Sequence, residues 1–91
     1  MIIKIEKITD YHGNDRLDGR YPSRTGMYGR IIPTTVKEGN RLVIQYLSWP
    51  DLLPYRGVFT TSTIINVQKD ISVFQIKTRN SIYTLRIIQK E

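Results

Sequence analysis

Residues 73–88, VFQIKTRNSIYTLRII, alternate apolar and polar side chains on either side of a short polar centre. Successive side chains of a strand point to opposite faces, so strict alternation fixes both the element and the face it buries. With a two-residue turn at Arg79-Asn80, Thr78 meets Ser81, Ile76 meets Tyr83 and Phe74 meets Leu85. Phe74, Ile76, Tyr83, Leu85 and Ile87 then share one face. A three-residue turn would oppose Ile76 with Thr84 and scatter the apolar set, so the pattern itself selects the register. Asn80 suits the positive φ that such turns use. The polar tip reads as a turn, with Thr78 and Ser81 a facing polar pair.

The same reasoning runs backwards along the chain. A turn at Lys69-Asp70 would pair Val67 with Ser72, Ile65 with Phe74 and Thr63 with Ile76. Phe59, Ile65 and Val67 would then join the buried face, giving a meander of strands near 58–68, 71–78 and 81–88. Upstream, RLVIQYLSW (41–49) is a nearly continuous apolar run and reads as a well-buried strand. KEGN before it has turn chemistry, with Gly39 and Asn40 as positive-φ positions. GMYGRII (26–32) is a short strand ended by Pro33, and MIIKIEKI (1–8) a strand with Ile3 and Ile5 on one side. No segment carries ten residues of helical periodicity with caps. The expectation is all-β: one domain over residues 1–91, a small antiparallel meander of five to six strands. It bends into an SH3-like or OB-like barrel with no long helix.

The C-terminal half, TTSTIINV followed by FQIKTRNSIYTLRI, resembles small uncharacterised bacterial proteins. These carry a Thr-Ser pair, a strand, and then T-x-N-S-x-Y before a final strand. Here the matching positions are Thr61-Ser62 and Thr78, Asn80, Ser81 and Tyr83, about a third of the chain. The resemblance implies the β fold and attaches no activity.

Ninety-one residues suffice for one domain and not two. A chain this short buries roughly 60–65% of its unfolded surface, which provides one core and no deep substrate cavity. There is no cysteine, so neither a disulfide nor a thiolate metal site supports the fold, in keeping with a reducing cytoplasm. The N-terminus is not a signal peptide, and no run reaches the roughly 18 apolar residues that span a bilayer. The protein is therefore expected to be cytoplasmic and away from membranes. Fourteen Lys and Arg against eight Asp and Glu give a net charge of +6, a field that favours polyanions. The charge is scattered: residues 10–30 hold four arginines but also three aspartates.

Chemistry has little to work with. The single histidine, His12, sits in a Gly-flanked loop, and no nucleophile elbow, phosphate-cradling glycine loop or metal pair is present. Asp10, His12, Asn14, Asp15 and Asp18 crowd together. They fail the calcium-loop pattern, because Asp15 occupies the glycine position and Tyr21 the closing glutamate position. No enzyme activity, cofactor or metal is expected.

Two loops break the strand pattern and supply the candidate sites. In residues 10–26 and just beyond, Arg16, Arg20, Arg24 and Arg30 interleave with Tyr21 and Tyr28. Arginine offers planar forks to phosphate and tyrosine offers a flat face to bases, so this set is the candidate nucleic-acid contact. Asp15 and Asp18 lie beside it and could neutralise it in local ion pairs. In residues 48–57, SWPDLLPYRG, the set Trp49, Leu52, Leu53, Tyr55 and Arg56 rides on a proline-stiffened loop. These residue types dominate protein–protein hot spots, which makes the loop the candidate partner site of an interaction or inhibitor module of bacterial or mobile-element type. Homodimerisation through an unpaired edge strand is a further expectation.

Overall fold

A computed structural model describes residues 1–90, and these are all-β. Six strands appear in order: β1 (Ile2–Thr9), β2 (Tyr28–Arg30), β3 (Arg41–Ser48), β4 (Pro54–Lys69), β5 (Val73–Thr78) and β6 (Ile82–Gln89). Each pairs antiparallel with its successor, and β6 returns to pair with β1, closing the ring. A four-residue helical turn, α1 (Tyr21–Arg24), and a 3-10 turn over Pro33–Thr35 are the only helical pieces among the described residues. No helix there is long and apolar enough to cross a membrane.

The C-terminal hairpin has the register its alternation demands: Phe74 opposite Leu85, Ile76 opposite Tyr83, Val73 opposite Arg86. Phe74, Ile76, Tyr83 and Leu85 are buried, joined by Ile3, Ile5, Ile8, Met27, Ile31, Leu42, Ile44, Phe59 and Ile64, while Ile87 packs against the cluster. Ile8 enters the core because a bulge at Glu6 shifts the phase of β1 by one residue.

The preceding pair departs from the expected register. Val67 lies opposite Ile76 and Lys69 opposite Phe74, so the turn is the segment 70–72 and not Lys69-Asp70. A second irregularity between Ile64 and Asn66 turns Ile65 outward at 43% exposure and Ile64 inward at 1%. Alternation alone favoured Ile65; the bulge reverses the choice because a single extra residue exchanges the two faces. β4 also begins earlier than expected, at Pro54, which suits proline as the first residue of a strand. Tyr55 and Arg56 are therefore strand residues, and the loop shrinks to Trp49–Leu53.

Asn80 does not adopt positive φ, nor does Asn40; Gly39 does, at 89°. The tip is held by side chains instead. Thr78 Oγ1 accepts from the Ser81 N–H at 3.2 Å, and the Thr78 N–H donates to the Ser81 carbonyl at 2.8 Å. Thr78 and Ser81 are fully buried. The ring closes where β6 pairs with β1 from Ile2 to Thr9.

Gly29, in the middle of β2, is where the wall is tightest. A Cβ there would collide with Ile44 Cγ2 and lie 3.0 Å from the Gln45 carbonyl oxygen. Ile44 is fully buried and has nowhere to move. Gly29→Ala should destabilise the fold by roughly 2 kcal/mol, within the range typical of overpacking. Urea unfolding should show a lower midpoint at an unchanged slope.

Candidate functional site

The two sets expected from the sequence are each divided by the fold, and parts of both meet at one end of the barrel. The β3–β4 hairpin overhangs this end. Its inward positions, Tyr46 on β3 and Gly57 and Phe59 on β4, follow the alternation that buries Leu42 and Ile44 further down, and Tyr55 joins their rings across a register shift between Gly57 and Pro54. Across from it, α1 and the residue that caps it contribute Ser23, Arg24 and Arg20. Between them lies a cleft of about 460 Å³ lined by these residues with Trp49, Met27, Val58 and Thr60. No acidic side chain among the described residues lines it.

The aromatic rings form a continuous ladder. Trp49 and Tyr55 have centroids 4.5 Å apart, Tyr55 and Tyr46 5.6 Å, and Tyr46 stacks on Phe59 at 6.4 Å with planes 5° apart. Phe59 meets Tyr83 at 5.8 Å in the core. The Arg24 guanidinium sits 3.9 Å from the Phe59 ring centroid and 5.8 Å from that of Tyr21, so the cation on the cleft floor is held in place by rings. Burial raises the Tyr46 hydroxyl above its usual pKa, opposed by the neighbouring Arg24 charge. Burial likewise raises Tyr83. Both phenols therefore stay neutral at physiological pH. A Cβ at Gly57 would meet Tyr46 and Tyr55 at 3.4 Å each, in ordinary van der Waals contact.

Arg16 lies outside the cleft. Its Nε and Nη2 donate to the two carboxylate oxygens of Asp18, both at 2.9 Å. Its Nη1 donates to the Asn80 carbonyl at 2.6 Å and to Ser81 Oγ at 3.1 Å, and its plane lies 4.4 Å from the Tyr21 centroid. The Tyr11 hydroxyl donates to the Thr78 carbonyl, a second tie from the same loop to the same hairpin tip. Arg16 is thus a strut joining the 10–20 segment to the β5–β6 turn. Its donors are therefore engaged within the fold. The Thr78, Ser81 and Tyr83 positions of the T-x-N-S-x-Y motif serve this junction and the core. Thr61 Oγ1 accepts the Leu42 N–H at 3.1 Å where β4 bulges.

Tyr28 and Arg30 flank the inward Gly29 and so face outward on the wall, away from the cleft. Lys4 Nζ lies 5.5 Å from the Tyr28 ring, and Arg30 borders a separate outer groove with Ile32, Arg41 and Val43. Arg56 lines a neighbouring groove with Gln45, Leu47 and Tyr55. Asp10 accepts the backbone N–H groups of His12 and Asn14 at 2.8 and 3.0 Å, so the suspect acid of the loop closes a local turn.

The Trp49–Leu53 loop is closed by two backbone bonds. The Leu52 N–H donates to the Trp49 carbonyl and the Trp49 N–H to the Leu53 carbonyl, each at 2.9 Å. Asp51 Oδ1 accepts the Leu53 N–H at 3.1 Å. Leu52 takes φ of 72°, the one left-handed non-glycine among the described residues, while 66% exposed. Sequence patterning gave no signal for this, because loops of this type ordinarily place glycine there. Searches against protein-family models, curated proteins and solved structures find no match for this chain.

Two outcomes follow. Bonding to Arg16 lowers Asp18 from 3.8 to about 2. A depressed carboxylate stabilises the fold above its unfolded pKa and loses that contribution as pH falls through the folded one. Thermal melts should therefore show wild type losing stability between about pH 4 and about pH 2, with this component missing in Asp18→Asn. Leu52→Gly should stabilise by about 0.5–1 kcal/mol, the left-handed penalty less the chain entropy of glycine, measured by urea unfolding.

Proposed function

We propose that this protein is a non-enzymatic nucleic-acid-binding module whose contact surface is the barrel-end cleft. The observation that carries the reading is the convergence of Arg20 and Arg24 with Trp49, Tyr55 and Tyr46 around a cleft without an acid lining it. Cations that track phosphates beside exposed aromatic faces are the combination that holds nucleic-acid strands. The +6 charge adds long-range attraction for any polyanion. Of the six residues expected from the sequence, Arg20, Arg24 and Tyr21 belong to this end of the barrel. Tyr28 and Arg30 would at most extend the contact along the wall.

A second reading rests on the loop tip. Leu52 and Leu53 are 66% and 62% exposed, and Leu52 holds a costly backbone conformation without burying its side chain. Strain kept at an exposed apolar tip is consistent with docking to another protein, with Trp49 beside it as an anchor. Arg56, which lines a neighbouring groove with Tyr55 and Leu47 on the same hairpin, would flank that contact.

Titration of a labelled oligonucleotide from about 50 to about 300 mM salt separates the two readings. Binding should weaken steeply with salt, and Arg20→Glu with Arg24→Glu should lower the log–log slope by roughly 1.4, about 0.7 per lost phosphate contact. Absence of binding at low salt would remove the nucleic-acid reading and leave the leucine tip as the surface to pursue.

A further inference from the structure

Resting on the nucleic-acid reading of the cleft, we infer that its ligand is a single strand, from which one unpaired base inserts against Trp49 and Tyr55. The adjoining phosphates lie on Arg20 and Arg24. A base offers its flat face only when unstacked; within a duplex both faces are covered by neighbouring base pairs. The rings that would receive it are open to the cleft: Trp49 is 39% and Tyr55 38% exposed, and both line it. Their centroids lie 4.5 Å apart with planes 42° apart, so an occupant of the cleft meets both.

Size and shape agree. A cleft of about 460 Å³ lies toward the small end of ligand sites and suits a nucleotide unit, not a helical face. Its two rims differ in chemistry. The α1 rim carries Arg20 and Ser23 with Arg24 on the floor behind them, and the hairpin rim carries Trp49 and Tyr55. One cationic rim facing one aromatic rim matches one backbone with its bases turned to a single side. A duplex presents two backbones and would require cations on both rims.

The receiving face is preorganised. Trp49 is bonded through both its N–H and its carbonyl, and Pro50 packs on Gly26, whose Cβ would lie 3.0 Å from Pro50 Cγ. The loop therefore reaches back to the segment following α1, fixing the two rims relative to each other. On the floor, Arg24 is held over Phe59 at 3.9 Å. Little order remains to be gained on binding, which favours affinity.

The test uses the whole protein, a single-stranded oligonucleotide of roughly twelve nucleotides, its duplex, and the same strand with abasic sites. Trp49 is the chain's one tryptophan, so its emission reports on this site alone. The single strand should quench that emission and bind more tightly than the duplex. Trp49→Ala and the abasic strand should each weaken binding by about 5- to about 150-fold, and combining them should add little further loss. Trp49 lies in a partly exposed loop, and unchanged urea unfolding of the variant would confirm an intact fold. Duplex binding as tight as the single strand, with emission unchanged and the Arg20 and Arg24 effects retained, would overturn base insertion while leaving the cleft as a nucleic-acid surface. Failure of every oligonucleotide to bind at low salt would overturn both.

Discussion

β4 must serve two neighbours in succession, pairing with β3 as far as Thr63 and with β5 from Ile64 onward. A closed ring requires the strand to bend between them, and extra residues accomplish the bend by interrupting the ladder. Each interruption frees a backbone group that must find another partner. At the first, Thr61 Oγ1 takes the Leu42 N–H and donates to the Ser62 carbonyl at 2.7 Å. At the second, Ile65 is turned out and Ile64 becomes a core residue. Both sites lie in the far half of β4, and a third register shift falls in its near half, between the Tyr46–Gly57 and Ser48–Pro54 pairs. Tyr46 and Tyr55 line the cleft there and are not fully buried.

That geometry ties the cleft to the core. Phe59 is a member of the buried cluster and also the ring beneath Arg24 and beside Tyr46. The ladder from Trp49 to Tyr83 passes from a partly exposed ring to a fully packed one without a gap in contact. The floor of the cleft is consequently rigid, while its rims are short segments held by hydrogen bonds and by one proline–glycine contact.

The arginines show how position sorts residues of one type into different work. Arg16 spends its donors on Asp18, Asn80 and Ser81 and fastens a loop to a hairpin tip. Arg24 lies over rings at the cleft floor, Arg20 stands exposed at its rim, and Arg30 faces the outer wall. Spacing along the loop, roughly every four residues, contains none of this. Charge counting over residues 10–30 was a fair guide to the whole segment and a poor guide to any one side chain.

The sequence by itself determined the all-β class, the absence of a long helix among the described residues, the C-terminal hairpin with its register, and the inward faces of β6 and of β1 as far as Ile5. These follow from alternation, which is local and needs only neighbouring residues to be read. It also singled out both loops that carry the cleft. Tertiary structure alone decided the closure of β6 on β1, the exchange of Ile65 for Ile64, the early start of β4, and the meeting of Arg20 and Arg24 with Trp49 and Tyr55. Bulges, ring closure and cation–ring contacts such as Arg24 on Phe59 depend on which residues become neighbours after folding, and period-two patterning holds no record of them.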